Sequence, residues 1–134
     1  MSGFPLKIVT PDGIQFDGTA RQLNVRTTSG DVAILARHIN YVAPLGMGEA
    51  FIVTDEGKRY GACIGGMVSV VDGVVTLVPT TFEWADKIDT ARAEASEQRA
   101  QEILQKKEAT ELELTLAEAR LKRALIRKSV ASRK

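Results

Sequence analysis

Past Pro79 the chain has no glycine and no proline, and this divides it more sharply than any motif. A long segment without turn formers or helix breakers reads as helix, while the punctuated part before it does not. Other scarcities exclude whole classes of function. One cysteine, Cys63, rules out an internal disulfide; with His38 as the single histidine, neither a His/Cys metal cluster nor a histidine-based triad is supported. Aromatic residues make up 5%, which leaves little for stacking on nucleic-acid bases. No apolar run approaches the roughly 18 residues of a membrane-spanning helix, and the opening MSGFPLKIV has no stretch suited to a secretory signal. A reducing compartment and membrane association only through a partner are therefore expected. Neither sign of charge dominates: 18 lysines and arginines against 17 acids give a net charge of +1. That balance favours neither a nucleic-acid binder nor a membrane-surface protein. No GxxxxGK[ST] run is present, so phosphate is not held by a P-loop.

The 134 residues, 44% of them hydrophobic, suit one domain or a small domain with an appendage. All 11 glycines and all 4 prolines fall at or before Pro79, and well over half of the charged residues follow it. The first part alternates short apolar runs with turn residues. PLKIV, RQLNVRT, DVAIL, EAFIVT, RYGACI, MVSVV and VVTLV read as strands, separated by PDG, SGD, DEGK and VDG. The turns at TPDG and at Asp72-Gly73 have hairpin chemistry. So many short strands in about 80 residues pack most simply as a sandwich or barrel.

After Thr81 the apolar period becomes helical. Ala93, Ser96, Ala100, Ile103 and Lys107 follow at spacings of three and four, as do Leu114, Ala117, Leu121, Leu125 and Lys128. Thr110 and Glu113 form a capping-box pattern between the two runs, with Lys106 and Lys107 placed to suit the last turn of the first helix. The fold class expected is α+β: an N-terminal antiparallel β-sandwich over 1–84, then a two-helix hairpin over 85–134. The hairpin's stripe is thin in large side chains. A buried methyl contributes roughly 0.8 kcal/mol against 1.5 to 3 for a buried leucine, so the hairpin should be held by only a few kcal/mol. A ligand or partner surface can tip such a balance.

Charge within the tail is uneven. No acid follows Glu118, whereas Arg120, Lys122, Arg123, Arg127, Lys128, Arg133 and Lys134 do. Arg120, Arg123 and Arg127 form a basic stripe on the second helix, and Arg92 and Arg99 share one side of the first. Two readings stand: solvated charges complementing a helix dipole, or positive charge gathered between antiparallel helices to hold an anion.

The order KIVTPDGIQFDG, SGDVAILARHINYVAPL, IGGMVSV, VVTLV and IDTARA resembles the epsilon subunit family of bacterial F-type ATP synthases along essentially the whole chain. The resemblance implies a non-catalytic central-stalk subunit: a sandwich that contacts the gamma subunit and the membrane-embedded c-ring, and a regulatory helical hairpin. Extended, such a hairpin reaches the alpha and beta subunits and inhibits ATP hydrolysis; folded down, it does not. The implied location is the cytoplasmic face of the cell membrane, peripheral and held only through the c-ring. In family members that bind ATP, nucleotide favours the folded form, and the motif I/L-D-x-x-R-A marks the site. That motif maps here to Ile88, Asp89, Arg92 and Ala93, with Glu83, Arg99, Arg123 and Arg127 completing the expected regulatory ATP site. No residue set resembles a dedicated magnesium site.

Three departures from the family pattern stand out: ARHIN around His38, Met67 where an aromatic commonly follows the paired glycines, and Phe82 and Trp84 flanking Glu83. Trp84 is expected beside the site, either stacking on adenine or filling its space. Asp89 also serves as an N-cap without any ligand, and Arg92 and Arg99 have Glu94, Glu97 and Glu102 as surface partners. Cys63, in an alternating strand, reads as a small core residue. Two other functions stay open: a nucleic-acid-binding module using the basic second helix, and a stand-alone ATP sensor.

Overall fold

The computed structural model describes residues 2–133; Lys134, the last of the basic run, lies outside the described residues. In chain order the elements are β1 (Phe4–Thr10), β2 (Gly13–Ala20), β3 (Gln22–Thr27), β4 (Gly30–Leu35), β5 (Tyr41–Pro44), β6 (Met47–Thr54), β7 (Gly57–Ile64), β8 (Met67–Val71), β9 (Val74–Val78), β10 (Thr81–Trp84), a 3₁₀ turn at Ala85–Lys87, α1 (Thr90–Leu104) and α2 (Glu111–Ala131). Two five-stranded sheets face each other, ordered β2-β1-β9-β8-β5 and β10-β7-β6-β3-β4. The β-sandwich and helical hairpin are as the sequence indicates, with one refinement. β1 runs parallel to β9, pairing Leu6 with Val75 and Ile8 with Leu77, while the other ladders are antiparallel. A parallel pair needs a long crossover, and the strands between β1 and β9 provide it.

The core follows the period of two. Leu6 and Ile8 of β1, Leu23 and Val25 of β3, Ile52 of β6, Val68 and Val70 of β8 and Val75 and Leu77 of β9 all lie within it, at 1% exposure or less. Side chains between them point outward.

Three hairpins close with one device. Thr10, Thr27 and Thr54 each begin a Thr-x-x-Gly turn ending in Gly13, Gly30 or Gly57. Each threonine hydroxyl donates to the glycine carbonyl and accepts the amide two residues on. The glycines sit at φ of 123°, 123° and 124°, where a side chain is strained. The paired glycines serve another purpose: Gly65-Gly66 carries the chain from β7 in one sheet to β8 in the other. Gly66 O accepts from Leu45 N, and Gly65 exchanges bonds with Gly46 O and Thr80 N.

α2 lies against β6, β7 and the 3₁₀ turn, and α1 packs on α2. The seam between the helices is made of alanines. Ala93 and Ala100 of α1 and Ala117 and Ala124 of α2 are all buried, and the spacing of seven keeps each pair on one side of its helix. Leu125, expected on this stripe, is instead 47% exposed, because Ala124 occupies the seam and turns Leu125 toward a groove beside the sheet. The Thr110–Glu113 capping box forms in both directions. Lys106 and Lys107 fall outside the last turn of α1, which ends at Leu104 with Gln105 as its cap. Val130 and Ala131 close a second small core with Ala62, Ala85 and Ile88. Neither helix is long and apolar enough to cross a membrane.

Candidate nucleotide pocket between the hairpin and the last strand

A cavity of about 530 Å³ opens where α1, α2 and β10 meet. The local sequence explains each wall. Alternation along β10 sends Phe82 and Trp84 into the core, leaving Glu83 to face the helices. Asp89 caps α1, its carboxylate accepting Arg92 N at 3.0 Å, so Arg92, Ala93 and Ser96 follow on one side of the first turns. On α2, Arg120, Arg123 and Arg127 recur at three and four residues and share the facing side. Thr81 and Phe82 of β10, the latter also packed in the core, and Asp12 from the β1–β2 turn complete the lining.

Of the residues singled out in the sequence, Glu83, Asp89, Arg92, Ala93, Arg123 and Arg127 come together in this cavity. Ile88 does not line it. At 7% exposure it packs with Ala85, Val130 and Ala131, where it anchors the start of α1 to the end of α2. Arg99 also lies outside the lining, whose α1 wall ends at Ser96. Trp84 neither stacks in the cavity nor fills it. It is a core residue whose Nε1 donates to Gln15 O at 3.2 Å and whose ring lies under Arg59. Arg120 was legible as part of the basic stripe, whereas Asp12 had no local signal, because only the folded sandwich brings its turn here.

The electrostatics are lopsided. Arg127 Nε donates to Glu83 Oε1 at 2.6 Å, which neutralises that pair. Asp89 is engaged by its own helix. Glu97, a sequence-level partner for Arg92 or Arg99, bonds Lys128 instead, and this holds the Lys128 ammonium above its ordinary pKa. Among the described residues, Arg92, Arg120 and Arg123 therefore have no carboxylate within ion-pair distance. Guanidinium groups from two helices, gathered at the N-terminal end of α1, are suited by charge and geometry to a multiply charged anion. No group of three His, Cys, Asp or Glu side chains gathers to hold a metal among the described residues.

Comparison with known proteins identifies the family. Residues 3–85 match the family model described as ATP synthase, Delta/Epsilon chain, beta-sandwich domain, and residues 86–132 match ATP synthase, Delta/Epsilon chain, long alpha-helix domain. The ATP synthase epsilon chain of Ruminococcus albus is 45% identical over 135 residues, covering 100% of both chains. That of Exiguobacterium sp. is 38% identical over 135 residues, covering 100% of this chain and 99% of its own. Among solved structures, a chain of the Euglena gracilis mitochondrial ATP synthase superimposes with a TM-score of 0.83 at 20% identity, covering 100% of this chain and 83% of that one. A chain of the Tetrahymena thermophila mitochondrial ATP synthase central stalk and c-ring gives 0.61 at 15% identity, covering 95% of each. The two solved structures share the fold; the two domain models and the full-length bacterial relatives show that the chain belongs to the ATP synthase delta/epsilon family, as an epsilon chain.

Proposed function

We propose that this chain is a rotor subunit of a bacterial F-type ATP synthase, with a sandwich that joins the gamma subunit to the c-ring and a hairpin that regulates ATP hydrolysis. The hairpin inhibits when it extends toward the alpha and beta subunits and releases when it lies folded on the sandwich, at the cytoplasmic face of the membrane. ATP is the ligand that favours the folded form. The subunit performs no chemistry on the nucleotide, and the proposal requires no magnesium held by the protein.

The observation that supports this reading is the set of guanidinium groups without carboxylate partners among the described residues, supplied to one cavity by both helices. Like charges brought together repel, and a polyphosphate spanning them turns that repulsion into attraction only while the helices stay adjacent. Binding and folding down are thus one equilibrium, and the ligand stabilises the closed hairpin by its differential affinity.

The test is calorimetric titration of the full chain with ATP, with GTP as a control, followed by hydrolysis assays of the reconstituted catalytic assembly with and without the subunit. Saturable ATP binding, together with inhibition that added ATP relieves, is expected. Absence of binding at millimolar ATP would remove the nucleotide from the proposal; absence of inhibition would remove the regulatory role.

A further inference from the structure

We infer that Arg120, and not Arg99, completes the polyphosphate clamp with Arg92 and Arg123; this rests on the nucleotide reading above. Three observations carry it. First, the α1 wall of the cavity consists of Asp89, Arg92, Ala93 and Ser96 and stops there. Arg99 points within about 20° of Arg92 but sits roughly 10 Å further along the axis, beyond the cavity. Second, Arg120 lines the cavity with Arg123 and Arg127, so α2 supplies three guanidinium-bearing residues to the lining where α1 supplies one. Third, Glu83 occupies Arg127, while Arg120 has no carboxylate partner among the described residues.

The charge balance makes Arg120 necessary. With Arg127 paired to Glu83, omitting Arg120 leaves Arg92 and Arg123 facing a triphosphate, and Asp12 and the capped Asp89 sit in the same lining. Arg120 moves the formal charge of the lining from zero to +1, four arginines against Asp12, Glu83 and Asp89. Its planar fork also bonds two phosphate oxygens at once, which a lysine's single ammonium does not reproduce. Because Arg120 belongs to α2 and Arg92 to α1, the same phosphate contacts that raise affinity also fasten the hairpin.

The experiment compares wild type with Arg120→Gln, Arg120→Lys, Arg123→Gln and Arg99→Gln, each titrated calorimetrically with ATP, ADP and AMP, with a thermal melt of each variant. Arg120→Gln is expected to weaken ATP at least tenfold and AMP far less, at an unchanged Tm, with Arg120→Lys between it and wild type. Arg99→Gln should stay within about twofold of wild type. Should Arg120→Gln not fold, Arg120→Lys carries the comparison, since it keeps the charge and loses the fork. ATP affinity kept in both Arg120 variants but lost in Arg99→Gln would overturn the inference and leave the nucleotide reading standing. No ATP binding by wild type would overturn both. Equal losses for ATP and AMP, or a fall in Tm that Arg120→Lys shares, would show Arg120 supporting the fold and would also overturn the inference.

Discussion

Arg127 Nε donates to Glu83 Oε1 at 2.6 Å, so α2 is tied to the last strand of the sandwich by residues 44 positions apart. The pair is partly open to solvent, with side-chain exposures of 26% and 37%. Its worth is therefore that of a surface ion pair, up to about 1 kcal/mol. Glu83→Gln should raise amide exchange along the last turns of α2 by no more than about fivefold, without changing exchange in β6 or β7. Unchanged exchange in α2 would mean that the small core around Val130 alone holds the helix down.

Lys128 Nζ reaches both Glu97 oxygens, at 2.9 and 3.2 Å, and among the described residues this ion pair joins the two helices. Glu97→Lys places two ammonium groups at this contact, and Lys128→Glu two carboxylates. Both should open the hairpin, and the swapped double variant should restore closure. Exchange of α1 amides against α2 amides reads this directly. A double variant as open as either single one would show that the alanine seam tolerates no change at these positions, and that the pair itself contributes nothing.

Much of this fold was legible because burial imposes a period. β1, β3, β6, β8 and β9 contribute side chains to the core, and their alternation is visible residue by residue. The strands that escaped, β2, β5 and β10, are all sheet edges. β2 buries only Ala20 among its residues, and β5 and β10 have four residues each, too few to show a period. The helical hairpin was plain from the loss of glycine and proline, and its N-cap and capping box from side-chain type alone. The seam was harder: leucine outranks alanine in any hydrophobic pattern, yet close approach favours the smaller residue, and Leu125 gave way to Ala124. In the cavity, spacing put Arg92 and Arg99 on one side of α1, and of the two only Arg92 lines it. Direction along a helix is written in the period, while the depth of a cavity depends on what lies opposite.

Gly66 is held at φ 96°, and a Cβ there would meet Val78 O at 2.0 Å and Pro79 Cα at 2.6 Å. Those atoms are backbone, so nothing yields without moving the crossover between the sheets. Gly57 has a similar conformational demand, at φ 124°, but open space around it. Gly57→Ala should cost about 1–3 kcal/mol, the strain alone, and remain folded. Gly66→Ala adds the clash and should leave little soluble folded protein. Urea midpoints for the first and soluble yield for the second make the comparison; equal stability of the two would mean that the crossover has slack the close contacts deny.

Cys63 is 3% exposed on β7, paired across the sheet with Gly48 on one side and Phe82 on the other. Burial pushes its thiol from an ordinary 9.0 up to about 12, since the thiolate has no water to solvate it. Below pH 9 both native and unfolded chains keep the proton and the thiol adds no pH dependence. Between pH 9 and 12 the unfolded chain releases it while the native one holds it, so stability falls as pH rises, by about 1.4 kcal/mol per unit and roughly 4 kcal/mol across the window. Lys128, also raised, loses its contribution at the alkaline end, but equally in a variant without the thiol. Urea unfolding of wild type and Cys63→Ala at pH 8, 9.5 and 11 separates the two. The wild type should lose stability faster than the variant only above pH 9; parallel slopes throughout would show that the thiol ionises in the folded protein as readily as in the unfolded chain, and that the strand around it admits water.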